Sequence, residues 1–124
     1  MDNFSQGVTQ RLGIDHQSLK KVNPKIITCS ISGFGDTEVN RPAYDNLIQG
    51  YAGAMSITGT DKDNPVKSGI PIADLGAGLY AVIGILSAIQ SREKNDSGEH
   101  VDISMLDTQA VSYTHLTLPT IQPV

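Results

Sequence analysis

The feature that most constrains the fold is a long segment that begins near Asp74 and ends near Arg92. Its large apolar side chains recur at intervals of three and four residues, which is the spacing of one face of an α-helix. The spacing predicts one long helix with a single apolar stripe that needs a partner surface. The stripe consists of Leu75, Leu79, Val82, Ile83, Leu86 and Ile89.

The flanking segments show a mixture of helical and strand patterns. Asp15 can cap a short helix, because its carboxylate can accept hydrogen bonds from the first-turn N–H groups. That helix ends before Pro24, since the residue preceding a proline avoids the helical region. Further elements are expected at 25–32 (strand), 44–57 (helix), 101–105 (strand) and from Leu106 onward (helix). This order of helices and strands indicates an α/β fold.

The charge distribution argues against a nucleic-acid partner. The chain of 124 residues has a formal net charge of -4 and a sequence pI of about 5.1. Its Lys and Arg residues are scattered, whereas phosphate neutralisation needs them clustered. We expect no segment to reach transmembrane length, and the first residues lack the layout of a signal peptide. The expectation is therefore a soluble cytoplasmic protein with no nucleic-acid or membrane partner.

The cysteine and histidine residues do not indicate redox or metal chemistry. Cys29 is the single cysteine, so no intrachain disulfide can form. It lies in the apolar run 26–31, where a buried structural thiol is the expected role. His16, His100 and His115 are isolated and lack metal-ligand spacing. We therefore expect no bound metal.

Asp74 is the acidic residue on which chemistry can be placed. It lies at the start of the long helix, and capping of that helix would by itself account for an Asp. Gly76 and Gly78 favour a second interpretation, because glycine in a helix costs up to ~1 kcal/mol relative to Ala and permits close approach of another backbone or a ligand. A carboxylate there can act as a nucleophile, kept ionised by the helix dipole. From the residues alone, both interpretations remain open.

Five motifs along residues 2–111 resemble those of a known family, in its order and with nearly its spacing. They are Asn3-Phe4-x-x-Gly7 with Arg11-Leu12-Gly13, the run NPKIITCSISGFG at 23–35, Arg41-Pro42-Ala43-Tyr44-Asp45, Ile72-Ala73-Asp74-Leu75-x-x-Gly78, and GEHVDISMLD at 98–107. On these motifs the chain is similar to the class III CoA-transferases, also called the CaiB/BaiF family. That family includes formyl-CoA and carnitine CoA-transferases and the 2-methylacyl-CoA racemases.

The resemblance implies a fold, a ligand and an assembly. The fold would be part of the Rossmann-like, CoA-binding large domain of a class III CoA-transferase. The substrates would be coenzyme A, carried as acyl-CoA, and a carboxylic acid acceptor, and the complete protein would form an interlocked homodimer. The residues implied to lie along CoA, with the arginine near its phosphates, are Asn3, Phe4, Arg11 and Leu12.

The resemblance also implies a covalent mechanism. Asp74 would attack the acyl-CoA thioester and carry first a mixed anhydride and then an aspartyl-CoA thioester. Backbone N–H groups at the start of its helix would be candidate oxyanion donors. Tyr44 would lie beside the reacting carbonyl. The racemases carry a histidine at this position, and because tyrosine is a poorer base at neutral pH, Tyr44 favours CoA transfer over the alternative of a racemase.

The resemblance covers residues 1–111, which would form a fragment of the large domain. Members of the family are several times longer than this chain. Residues 112–124 lack the expected continuation of the last helix, and they resemble translated sequencing-adaptor read-through, so we expect a non-native tail. A further alternative follows, in which the printed chain is a truncated and catalytically inactive fragment of an active parent protein.

Overall fold

The computed structural model describes residues 1–113 apart from Glu38, Asn40 and Lys62. Most of the predicted non-native tail, residues 112–124, therefore lies outside the described residues. The described part contains short and long helices around a small sheet. Its elements are α1 (Val8–Leu12), α2 (His16–Val22), β1 (Thr28–Ser32), α3 (Asp45–Ala52), a 3-10 helix (Ala54–Ile57), α4 (Ile72–Asn95), β2 (His100–Ser104) and α5 (Met105–Val111).

The two strands lie side by side and run parallel. Their register pairs Thr28 with His100 at one end and Ser32 with Ser104 at the other. Asp2 forms an isolated parallel bridge to Ser30. Parallel strands need a crossover connection, and here the chain between them includes α3 and α4. This arrangement confirms the predicted α/β fold.

The predicted elements are present, with shifted boundaries. Asp15 caps α2 as expected, since its carboxylate accepts hydrogen bonds from the Ser18 backbone N–H at 3.1 Å and the Ser18 hydroxyl at 2.6 Å. The single helix expected at 44–57 is instead α3 followed by a 3-10 helix. Gly53 separates them because it adopts a left-handed conformation with φ of 88°, which a continuous helix cannot contain.

Helix α4 packs through its small residues, and its large apolar residues face outward. Ala73, Ala77, Ala81 and Ala88 are buried. Five of the six large side chains of the predicted stripe are more than half exposed, with Leu79 and Ile83 at 68% and 58%, and Ile89 is half-buried. The long helix is thus confirmed, and most of the stripe has no partner surface within the described residues.

Close approach of the α4 backbone explains which face is buried. A Cβ on Gly84 would lie 2.6 Å from Val101 Cγ1 of β2, and a Cβ on Gly76 would lie 2.7 Å from Thr108 Cγ2 of α5. Both distances are shorter than real Cβ contacts. Gly76 therefore allows α5 to approach α4 closely, whereas the space beside Gly78 is open.

Helix α4 is also long and apolar enough to cross a membrane by length and composition. The expectation that no segment reaches that length is therefore wrong. The reason is that alanine and glycine make the second face of the helix apolar too, and Asp74 is the one charged residue between positions 72 and 89. In the described fold, 22% of the most apolar 18-residue stretch of α4 is buried.

We predict that the isolated 124-residue chain self-associates through the exposed stripe, because large exposed apolar patches drive association. The variant Leu79→Lys/Ile83→Lys should raise the monomer fraction. It should leave the melting temperature within about 3 °C, since both positions are exposed. Light scattering after size exclusion, together with thermal melting by circular dichroism, measures both properties.

The matched control is Ala77→Lys, at a position that is fully buried. This change buries an unpaired charge and should prevent folding. A wild-type chain that is monomeric and melts cooperatively would contradict the prediction.

Candidate functional site

A cavity of about 1320 Å³ lies beside the start of α4. It is bounded by residues 1–7, the loop that follows β1, and the segment that leads into α4. Four of the six residues implicated by sequence line this one cavity. They are Asn3, Phe4, Tyr44 and Asp74.

The other two implicated residues do not line the cavity. Arg11 and Leu12 lie on α1, where both side chains are exposed. Arg11 occupies the last turn of that helix. Their assignment to CoA binding therefore stays a prediction that rests on the resemblance.

Asp74 lies in the first turn of α4 and does not cap it. The cap position is Pro71, which has no side-chain acceptor for the helix amides. Asp74 is exposed on the cavity wall, and no residue in the described part of the chain donates a hydrogen bond to its carboxylate. The capping interpretation is therefore wrong, and the carboxylate is accessible from the cavity.

The cap of α4 comes from another helix. Asp45, the first residue of α3, accepts hydrogen bonds through Oδ1 from the backbone N–H of Ala73 at 2.8 Å and, more weakly, of Asp74 at 3.4 Å. A carboxylate that accepts these otherwise unpaired amides stabilises the helix start. The side chain of Asp45 on α3 thereby helps to fix the position of the Asp74 backbone.

The capping arrangement leaves the first-turn amides occupied. Besides the two amides bound by Asp45, Ile72 N donates to Ile70 O at 2.9 Å and Leu75 N donates to Pro71 O at 3.0 Å. The expectation that these N–H groups serve as oxyanion donors is therefore not supported. Donors for an oxyanion would have to come from other groups around the cavity.

The environment of Asp74 raises the pKa of its carboxyl group above the ordinary value. Partial burial against the cavity wall is the larger cause, and the neighbouring negative charge of Asp45 is the second. The dipole of α4 alone would favour the ionised carboxylate and lower this pKa, so burial and the charge of Asp45 outweigh it. A carboxylate with a raised pKa is more basic, and this makes it a better nucleophile when ionised.

Gln49 connects Asp45 to the cavity wall. It is buried on α3, with 1% of its surface exposed. Its Nε2 donates to Asp45 Oδ2 at 2.6 Å, and its Oε1 accepts from Ser68 N at 2.7 Å. Ser68 belongs to the segment that leads into α4, so one amide side chain holds both the capping carboxylate and this segment.

Sequence reasoning gave no role to Asp45 or Gln49. An Asp followed four residues later by a Gln is a known helix-stabilising pair, and this spacing was the available signal. The contacts with Ser68 and Ala73 join positions 19 and 28 residues apart in the chain. No local pattern reports such contacts.

Tyr44 precedes α3 in an extended conformation, with φ of -136° and ψ of 156°. Its side chain is 70% exposed and lines the cavity. Its backbone carbonyl accepts hydrogen bonds from Leu47 N at 2.9 Å and Ile48 N at 3.0 Å. The phenol is therefore placed on the same cavity as Asp74 by the start of α3.

Cys29 and the histidines do not form a reactive centre in the described part of the chain. Cys29 is 2% exposed, and burial raises the pKa of its thiol, which confirms the structural interpretation. His16 and His100 each lie 2.8 Å from the hydroxyl of Thr28. Among the residues with described positions, no group of three His, Cys, Asp or Glu side chains is arranged to hold a metal ion.

Known proteins share this arrangement of elements. A family model described as CoA-transferase family III matches residues 1–120. The succinate–glutarate CoA-transferase of Agrobacterium fabrum is 38% identical over 112 residues, which are 89% of this chain and 28% of that protein. The acetyl-CoA:oxalate CoA-transferase of Acetobacter aceti is 40% identical over 109 residues, which are 86% of this chain and 28% of that protein.

A solved structure supports the same relationship. The crystal structure of a CAIB/BAIF family protein from Brucella suis superimposes with a TM-score of 0.86 at 40% identity, covering 91% of this chain and 30% of that one. A Mycobacterium tuberculosis structure at 22% identity has a TM-score of 0.85 and covers 93% of this chain and 33% of that one, which shows a shared fold. The chain thus spans less than one third of each protein compared.

We predict that Asp74→Asn stabilises the fold at neutral pH. The folded-state pKa of Asp74 is raised, so the fold loses stability as pH rises through that pKa and the carboxylate ionises. Asparagine stays neutral and avoids this loss. Solvent screening keeps the effect small, at about 1 to 3 °C in melting temperature. The gain should vanish below about pH 3, where Asp is mostly protonated in both the folded and the unfolded state.

The matched control is Asp61→Asn, because hydrogen bonds from Asn64 lower the pKa of Asp61. The ionised carboxylate of Asp61 stabilises the fold above the pKa that Asp has in the unfolded chain, and this stabilisation is lost as pH falls. Asp61→Asn should therefore be destabilised at pH 7. Thermal melting as a function of pH, in the Leu79→Lys/Ile83→Lys background, compares the two. Equal destabilisation by both variants at neutral pH would contradict the prediction.

Proposed function

Because the chain belongs to CoA-transferase family III, we propose that the complete protein transfers coenzyme A from an acyl-CoA to a carboxylic acid, with Asp74 as the covalent nucleophile. Membership confirms the resemblance drawn from the five motifs, and the relatives are named CoA-transferases. The observation that carries the proposal is the position of Asp74, exposed on the wall of the cavity at the start of α4.

The first half of the proposed reaction moves CoA onto the enzyme. The ionised carboxylate of Asp74 attacks the thioester carbonyl, and the carbon–sulfur bond breaks to release CoA thiolate and form an acyl-aspartyl anhydride. The thiolate then attacks the aspartyl carbonyl carbon. The anhydride carbon–oxygen bond breaks, the donor leaves as a carboxylate, and an aspartyl-CoA thioester remains.

The second half repeats these steps with the acceptor. The acceptor carboxylate attacks the aspartyl-CoA thioester and expels the thiolate, which leaves an anhydride between the acceptor and Asp74. The thiolate attacks the acceptor carbonyl carbon, forms the new acyl-CoA and restores the carboxylate of Asp74. Each step exchanges one anion for another, so no step needs a proton donor. This agrees with a nucleophile that has no hydrogen-bonded base among the described residues.

Two basic side chains, Lys67 and Arg41, line the cavity together with six aspartates. These two cations are the groups on the cavity wall that can attract an anionic substrate. The exposed phenol of Tyr44 lies on the same cavity and is a candidate hydrogen-bond donor to the carbonyl oxygen as charge develops there. We propose that Asn3 and Phe4 contact the bound CoA, with Arg11 and Leu12 on α1 farther along it.

The assembly and the cellular location are also proposals. We propose that residues 1–111 form part of the large, CoA-binding domain of a cytoplasmic, interlocked homodimer without a metal cofactor. We further propose that residues 112–124 are not native. The family match extends to residue 120, so this boundary rests on the change of pattern alone. Resequencing of the source locus tests it, and in-frame codons for 114–124 would contradict it.

We predict that the product of the complete gene forms a covalent acyl adduct on Asp74. The protein would be incubated with acyl-CoA and quenched with hydroxylamine, which converts an anhydride or a thioester into a hydroxamate. Tandem mass spectrometry should locate the hydroxamate on Asp74. Asp74→Ala should remove the adduct and lower the rate of transfer by at least about 10⁴-fold, because the nucleophile is lost.

Tyr44→Phe is the companion variant. It should keep the adduct and lower kcat by about ten-fold to 100-fold, since one oxyanion donor is removed. Absence of an adduct in the wild type, together with exchange of the α-proton of the acyl group into solvent, would contradict CoA transfer and support the racemase alternative. The 124-residue chain on its own should show no turnover.

A further inference from the structure

We propose that Gln49 is a positioning residue for the nucleophile, because it orients the Asp45 carboxylate that caps α4 and ties the segment before α4 to α3. The inference rests on the proposed function, since it gives Gln49 a part in placing Asp74. Gln49 does not line the cavity, so it acts through its neighbours and not on substrate.

The roles of the two amide atoms of Gln49 are fixed by their partners. A carboxylate oxygen of Asp45 can only accept, so the atom 2.6 Å from it must be the donating Nε2. The backbone N–H of Ser68 can only donate, so the atom 2.7 Å from it must be the accepting Oε1. A reversed amide would break both hydrogen bonds inside a buried site, so one orientation is specified.

Asp45 divides its two carboxylate oxygens between two tasks. Oδ2 binds Gln49, and Oδ1 binds the backbone amides of Ala73 and Asp74. Because the carboxylate is planar, fixing one oxygen also fixes the direction of the other. Without Gln49, the Asp45 side chain can rotate away from the amides and remain solvated.

Gln49 also holds the cavity wall. The segment 67–71 lines the cavity at several positions and joins α4 directly. The hydrogen bond from Ser68 N to Gln49 Oε1 joins this segment to α3. The same side chain therefore holds the start of α4 from two directions, and a fixed nucleophile needs such support.

An exchange of the two side chains separates this role from a general contribution to stability. Gln49→Glu leaves two carboxylate acceptors facing each other. In Asp45→Asn, the new asparagine must accept from Ala73 N, so its NH₂ group faces the NH₂ group of Gln49 as long as Gln49 accepts from Ser68 N. The double variant Asp45→Asn/Gln49→Glu restores every bond. The new asparagine accepts from Ala73 N and donates to the new glutamate, and that glutamate accepts from Ser68 N.

The test uses the complete protein with saturating acyl-CoA and acceptor. Each single variant should lower kcat by roughly ten-fold or more, with KM for acyl-CoA nearly unchanged, because a charged hydrogen bond is lost away from the CoA contacts. The double variant should recover to within about three-fold of wild type. The defect of Gln49→Glu should be smaller at about pH 5.5 than at about pH 8, since two facing carboxylates can then share a proton.

A second readout does not depend on activity. Hydrogen exchange measured by mass spectrometry should show faster exchange at Ser68, Ala73 and Asp74 in Gln49→Glu, with protection restored in the double variant. If wild type forms no Asp74 adduct, the proposed function fails, and this exchange pattern alone decides whether Gln49 holds the helix start. Three results would overturn the inference: a double variant as impaired as the worse single, unchanged kcat in both singles, or unchanged amide exchange.

Discussion

The close contact of α4 with β2 and α5 is the constraint on which the rest of the fold depends. Gly84 lies against Val101 and Gly76 against Thr108 at distances that leave no room for a Cβ. Alanines fill the remaining positions of the same face. Because a helix can approach its neighbours this closely only through small residues, α4 has one possible rotation about its axis in this fold.

That rotation has two consequences at opposite faces of the helix. The large apolar side chains, such as Leu79 and Ile83, are directed outward. At the helix start, Asp74 is placed on the wall of the cavity. The chain, which spans less than one third of its relatives, therefore carries a candidate nucleophile and an apolar surface that the described residues leave exposed. Chemistry is proposed at the helix start.

Asp74 is exposed at some cost to the fold. Partial burial and the charge of Asp45 both disfavour its ionised form, and no described residue donates a hydrogen bond to compensate. Asp45 nevertheless stabilises the backbone of the same residue by accepting from its amide and that of Ala73. One carboxylate thus holds the backbone of Asp74 in place and also raises the pKa of its side chain. Functional sites commonly keep such locally unfavourable groups.

The sequence alone determined the element types, the long helix, the cap by Asp15, the buried thiol and the family. These follow from spacing of a few residues or from ordered motifs, so they are readable along the chain. It also identified Asp74, Tyr44, Asn3 and Phe4, which the fold brings to one cavity. The roles of those residues in catalysis and binding stay predictions.

Only the tertiary structure decided which face of α4 is buried, what caps it and what supports Asp74. Two apolar faces were present on the helix, and periodicity favours the one with larger side chains. The face that is buried depends on how closely Gly84 and Gly76 approach Val101 and Thr108, and the spacing of residues along a helix does not report these distances. The cap by Asp45 and the contact of Gln49 with Ser68 likewise join positions far apart in the chain. Packing distance and long-range hydrogen bonds exist only once the chain has folded.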